Sequence, residues 1–94
     1  MKVIWAPEAE RDRLDIWDYI AADNPVAAVH MDELISTAAS TLADFPDKGK
    51  LRKVAGTREL APHENDRFVY QTEDDAVWIL ALVHVARMWP LLQD

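Results

Sequence analysis

The chain has 94 residues, half of them hydrophobic and only two of them glycine, so it holds material for one packed domain over 1–94 rather than a disordered chain. It has no cysteine, which excludes disulfides, a thiolate zinc site and a cysteine nucleophile, and no apolar run approaches the roughly 18 residues that cross a bilayer. A net charge of −7 argues against a protein whose whole surface grips nucleic acid.

Met1 to Glu8 becomes charged almost at once and does not read as a signal peptide, so the expectation is a small cytoplasmic domain. The charge is unevenly spread. Residues 1–47 carry ten Asp and Glu against three Lys and Arg, whereas residues 48–94 carry seven of each. Lys48, Lys50, Arg52, Lys53 and Arg58 form a run with no acid between them. An anionic partner should meet that midsection.

Lys2 to Trp5 is short and β-prone. Pro7 with Glu8 and Glu10 then marks a helix start, because proline is tolerated in the first turn and acids there oppose the helix dipole. At 100° per residue Ala9, Leu14, Ile16, Trp17 and Ile20 share one side of this first helix, with Arg11, Asp12, Asp15 and Asp18 opposite. Asn24 is a natural N-cap with Pro25 at the first helical position. In the second helix Ala27, Met31, Leu34, Ile35, Ala38 and Leu42 fall on one face, and Asp32, Glu33, Ser36 and Ser40 face away. It should end before Phe45-Pro46, since the residue preceding a proline avoids helical angles. So short a connection predicts antiparallel neighbours, a helical hairpin.

Asp47 to Lys50 reads as a turn, after which the pattern becomes extended. Thr57 to Ala61 is a strand ended by Pro62 and a turn at His63 to Asp66. Arg67 to Thr72 is a second strand, rich in aromatic and β-branched residues. Asp74-Asp75 makes a tight turn, and the almost wholly apolar Ala76 to His84 reads as a central strand covered on both faces. The predicted fold class is α+β, in the order β-α-α-β-β-β, with a helical hairpin packed on a small, mostly antiparallel sheet.

Arg58, Arg67 and Arg87 fall on or just after consecutive predicted strands, and His84 precedes the last of them by three residues. If the strands are neighbours, these guanidinium groups converge at one sheet edge and suit a phosphate, or the carboxylates of a protein partner. In the competing reading Arg67 and Arg87 pair with acids such as Glu59, Glu73 or Asp66. His84 is of the type that serves as a general acid or base. A lone histidine ending an apolar strand is more often a hydrogen-bonded structural residue. His30 and His63 read as solvated, and neither metal-ligand spacing nor a cofactor motif is present. The Lys48 to Lys53 segment, with Lys50, Arg52 and Lys53 as candidate binding residues, can track a phosphate backbone, recruit an acidic segment, or form a solvated loop. Trp5, Trp17 and Trp78 fit the core by periodicity. Trp89, before Pro90, is the candidate exposed anchor.

Three segments together resemble the C-terminal half of RelE/ParE superfamily toxins of bacterial type II toxin–antitoxin modules: Gly56 to Leu60, Arg67 to Tyr70, and Ile79 to Pro90. The N-terminal half is similar too, in the helix opening at Ala6-Pro7-Glu8-Ala9, in Asp15 to Ile20, and in the Asn-Pro restart. The resemblance implies the same β-α-α-β-β-β fold. It also implies one of two activities: a RelE-like ribosome-dependent mRNA endoribonuclease, or a ParE-like DNA gyrase inhibitor that is not itself an enzyme and is linked to plasmid stabilisation. Position by position, Arg58, Arg67 and Arg87 match basic sites of the nuclease pattern, with His84 as the further catalytic candidate. Leu60 stands where a second basic side chain is often found, and the terminal tyrosine of many nucleases is missing. The His-x-x-Arg-x-Trp-Pro ending and the negative charge favour the ParE-like branch and gyrase as target; the ribonuclease, or a degraded toxin that only binds its antitoxin, are the alternatives. The resemblance further implies a cognate antitoxin from the adjacent gene, joined in a hetero-oligomer, contacting the sheet side that bears Arg58, Arg67 and Arg87.

Overall fold

The computed structural model describes residues 1–63 and 66–84. The elements are β1 (Lys2–Trp5), α1 (Pro7–Ala21), α2 (Pro25–Asp44), β2 (Lys50–Leu51), β3 (Thr57–His63), β4 (Asp66–Glu73) and β5 (Ala76–His84). They form a two-helix layer on one five-stranded sheet of order β1-β5-β4-β3-β2. Only β1 and β5 run parallel, and the other neighbours are antiparallel. The predicted order and mostly antiparallel sheet therefore hold, with one strand more than expected. Among the described residues, no helix is long and apolar enough to cross a membrane.

Local chemistry explains the boundaries. Ala6 is extended because it precedes Pro7, and its N–H donates to the Ile79 carbonyl at 2.9 Å, carrying the β1–β5 pairing up to the helix. At the second helix start the Asn24 side chain accepts from the Ala27 N–H at 3.1 Å, with Pro25 in the first turn. Asp74 and Asp75 both have positive φ (52° and 61°), the two-residue turn geometry that matches the twist of the hairpin strands. Pro62 does not end β3. The β3–β4 register shifts between Leu60 and His63, and such an irregularity accommodates a residue lacking an N–H.

The core lies between the helices and one sheet face. Ala9 and Ile16 of α1, and Ile35, Ala39 and Leu42 of α2, pack on Phe68, Tyr70, Val77, Ile79 and Leu82. β4 alternates strictly at its start, with Asp66, Phe68 and Tyr70 buried and Arg67 exposed between them. Five expectations from helix periodicity fail. Leu14 is 66% exposed, Leu34 is 45% exposed and Trp17 is 36% exposed, so the buried stripe of each helix is narrower than the apolar one. Asp12, expected to face water, instead accepts the Leu82 N–H at 3.1 Å, close to where the β4–β5 register shifts. Asp32 likewise turns inward to the neighbouring helix. There Arg13 Nε and Nη2 donate to its two carboxylate oxygens at 2.7 and 2.9 Å.

The short β2 strand, missed in the sequence, is held by a buried hydroxyl. Tyr70 Oη donates to the Pro46 carbonyl at 2.7 Å and accepts the Gly49 N–H at 2.8 Å. Gly49 is needed because a Cβ there would sit 2.6 Å from the Glu59 carbonyl oxygen and 2.7 Å from Tyr70 Oη. Gly49→Ala should therefore lower stability by about 1–3 kcal/mol in urea denaturation, as overpacking does. An unchanged midpoint would mean that the loop is not clamped in this way.

Candidate functional site

The basic midsection is a clamped loop. Arg58 Nη1 donates to the Gly49 carbonyl at 2.8 Å and to the Asp47 carbonyl at 3.3 Å, and its Nη2 lies 3.7 Å from Asp47 Oδ1. Together Arg58 and Tyr70 fasten both sides of the Pro46–Gly49 turn. That turn carries the exposed Lys48 and leads to the exposed Lys50 and Lys53. Arg52 follows on the edge, its Nε 3.7 Å from Glu59 Oε2. Arg67 Nη1 approaches Glu59 Oε1 at 3.3 Å from the other side. Glu59 thus sits between two guanidinium groups on an exposed row. Such surface pairs contribute little stability and exchange readily with a competing carboxylate.

The pairing register decides which of the sequence candidates meet. Arg58 lies opposite Tyr70, on the sheet face covered by the helices. Arg67 lies between the buried Asp66 and Phe68 of β4, so it points from the other face. The expected convergence of Arg58 and Arg67 on one side is therefore corrected: they occupy opposite faces, a direct consequence of strand alternation. The competing reading, that Arg67 pairs with Glu59, is what the structure has. Arg87 and Trp89 lie outside the described residues. Trp5 is half-buried against the core and touches the Phe68 ring edge-on at 5.7 Å, and Trp78 is half-buried on the sheet face away from the helices.

His84 ends β5 directly opposite Asp66. Its Nδ1 lies 2.8 Å from Asp66 Oδ1, the histidine is 6% exposed, and the Tyr19 ring packs against it edge-on at 5.7 Å. His84 is thus buried and hydrogen-bonded, the arrangement common for a lone histidine ending an apolar strand. Asp66 is fully buried and its Oδ2 has no hydrogen-bond partner among the described residues. His63, expected in a solvated turn, is instead the last residue of β3, with Nδ1 3.9 Å from that oxygen. The importance of Asp66 was legible only in the register: its pairing with His84 depends on two strands ending level. Among the described residues no cluster of three or more His, Asp or Glu is arranged to hold a metal ion.

A small α+β domain with a rigid cationic loop on its sheet edge, and a second sheet face left bare by the helix pair, is the class of protein defined here. The chain belongs to the ParE toxin family: the model described as "ParE toxin of type II toxin-antitoxin system, parDE" matches residues 3–89. It is 36% identical over 87 residues to the Toxin RelE2 of Caulobacter vibrioides, an alignment covering 93% of this chain and 98% of that protein. Among solved structures it is similar to the chromosomal ParDE TA system from P. aeruginosa, with a TM-score of 0.78 at 21% identity over 90% of this chain and 96% of that one. It is also similar to the heterotetrameric YoeB-YefM toxin–antitoxin complex from Staphylococcus aureus, with a TM-score of 0.60 at 13% identity over 88% and 94% of the two chains.

The buried pair gives a direct test of the structural role of His84. His84→Leu leaves Asp66 without its 2.8 Å hydrogen-bond partner, and should destabilise the fold by about 1–3 kcal/mol, the cost typical of leaving a buried polar group unsatisfied. A loss below about 1 kcal/mol in chemical denaturation, the range of an exposed pair, would mean that His84 does not hold Asp66.

Proposed function

We propose that this type II toxin acts by inhibiting DNA gyrase, without cutting nucleic acid itself, and that a cognate antitoxin from the adjacent gene silences it in a toxin–antitoxin hetero-oligomer. The observation that carries the gyrase reading is the engagement of the nuclease-pattern side chains. Arg58 is spent on loop carbonyls, His84 is buried against Asp66, and Arg67 stands on the opposite face from Arg58. A general base must reach the proton it abstracts, and phosphate ligands must surround one point. The net charge of −7 adds long-range repulsion from a particle built of RNA phosphate.

The half-buried sheet face away from the helices supports the antitoxin half of the reading. Pairing places Ile4, Trp78, Val69, Ala81 and Val83 on it, beside Glu59 and Arg67. An extended or helical segment with apolar side chains and carboxylates fits such a face, its acids competing with Glu59 for Arg52 and Arg67. Both solved relatives described above are, by their descriptions, toxin–antitoxin systems.

A second reading, the ribosome-dependent endoribonuclease, is favoured by one feature: exposed Lys48 on the fastened Pro46–Gly49 turn, followed by exposed Lys50 and Lys53, a row of cations suited to a phosphate backbone. The name of the Caulobacter relative points the same way.

The purified chain should abolish supercoiling of relaxed plasmid by purified gyrase, leave messenger RNA intact in a reconstituted translation system, and lose its effect when antitoxin is added. Cleaved messenger RNA with normal supercoiling would replace this reading by the ribonuclease. Neither effect would leave a module that only binds antitoxin. Arg67→Glu should weaken antitoxin binding by about tenfold or more, the scale of reversing one charge in an interface, whereas Arg58→Met should act mainly through the loop.

A further inference from the structure

The helix layer carries a groove of the opposite character to the sheet edge. A cleft of about 410 Å³ opens between β1, α1 and α2, lined by Trp5, Glu10, Arg13, Leu14, Trp17 and Asp32. Its volume lies within the range of sites that hold a ligand or an anchoring side chain. Leu14 and Trp17 are the side chains that periodicity assigned to the core and that the fold leaves exposed. They stand one turn apart on the outside of α1, beside Trp5.

The charge around this apolar surface is negative. Arg13, the one cation in the lining, is neutralised by the two-point bond to Asp32 and lies over the Trp5 ring at 4.9 Å. Hydrogen bonding to Asp32 holds the Arg13 guanidinium above its ordinary pKa, against the smaller opposing effect of partial burial. Glu10, one turn before Leu14, and Asp18, one turn after it, are exposed, and their carboxylates make no hydrogen bond or ion pair among the described residues. Arg13 already lies over the Trp5 ring, so the indole open to an incoming cation is that of the exposed Trp17, with the unpaired Glu10 carboxylate in the same groove: the ring attracts the charge electrostatically and the carboxylate completes it. An acidic segment of the kind suited to the Arg52–Arg67 face would be repelled here.

We propose that this groove is a second docking surface, for a positively charged protein segment whose lysine or arginine seats against Trp17 and the Glu10 carboxylate while a neighbouring apolar side chain covers Leu14. The surface stands apart from the sheet face assigned to the antitoxin, and its occupant differs from that acidic segment in sign. The two faces let one small chain hold partners of opposite charge at once. The groove does not depend on which macromolecule the toxin poisons.

The test uses the full chain and two synthetic peptides of equal length, one alternating lysine with leucine and the other alternating glutamate with leucine. The readout is the indole N–H resonances in heteronuclear NMR. The lysine peptide should shift the Trp5 and Trp17 signals with saturable binding that weakens as salt is raised, while Trp78, on the far sheet face, stays in place and the glutamate peptide leaves the groove untouched. Glu10→Lys and Leu14→Asp, both at exposed positions, should each weaken binding about tenfold, as loss of one anchor does. Glu73→Lys, which makes the same change in net charge on the sheet, should not. Equal effects of Glu10→Lys and Glu73→Lys would reduce the binding to net charge and overturn the proposal. So would binding that moves Trp78 but neither groove indole, or equal binding of the two peptides. Because the readout is binding to the chain alone, failure of the gyrase reading and failure of the groove are separate results.

Discussion

The helical hairpin covers one face of the sheet, and nearly every other property of the molecule follows from that burial. Ile16, Ile35 and Leu42 press on Phe68, Tyr70, Val77 and Ile79, and each fully buried aliphatic or aromatic side chain contributes about 1.5–3 kcal/mol. Strand alternation, interrupted only at the two register shifts seen among the described residues, then divides the remaining side chains. Those in register with Phe68 and Tyr70 go under the helices, and their neighbours go to the other face. Arg58 and Arg67 are separated by this rule alone.

The buried face is not purely apolar, and its polar members do specific things. Tyr70 reaches through the edge of the core to tie down Pro46 and Gly49, and Arg58 closes the same turn through carbonyl oxygens. Lys48 is thereby displayed from a fastened turn, which lowers the entropy lost when an anion or carboxylate binds it. At the other end of the same face, Asp66 and His84 close the sheet as a buried pair. A buried polar group left without its hydrogen-bond partner is expensive, so the two residues are interdependent.

The surface is consequently split by sign. The helix layer is acidic and exposes Leu14, Trp17 and Leu34, and the sheet edge is basic with an apolar face beside it. A toxin has to be held by an antitoxin and also has to engage a target. A chain of this size gains from two unlike surfaces, because one partner then need not compete chemically for the other's site.

The sequence by itself determined the order of the elements, the capped start of α2 at Asn24 and Pro25, the Asp74-Asp75 turn and the limits of β5. Each depends on contacts a few residues apart: a cap, a ring that fixes φ, an unbroken apolar run. The family likeness was also legible there, as an ordered set of short segments. Tertiary structure alone decided that Arg58 and Arg67 part company, that Asp66 meets His84, that β2 exists, and that Leu14 and Trp17 stay outside. These depend on strand register and on how much of each apolar stripe the opposite layer is wide enough to cover. Neither quantity is written in the periodicity of a single segment, because both are set by a partner tens of residues away.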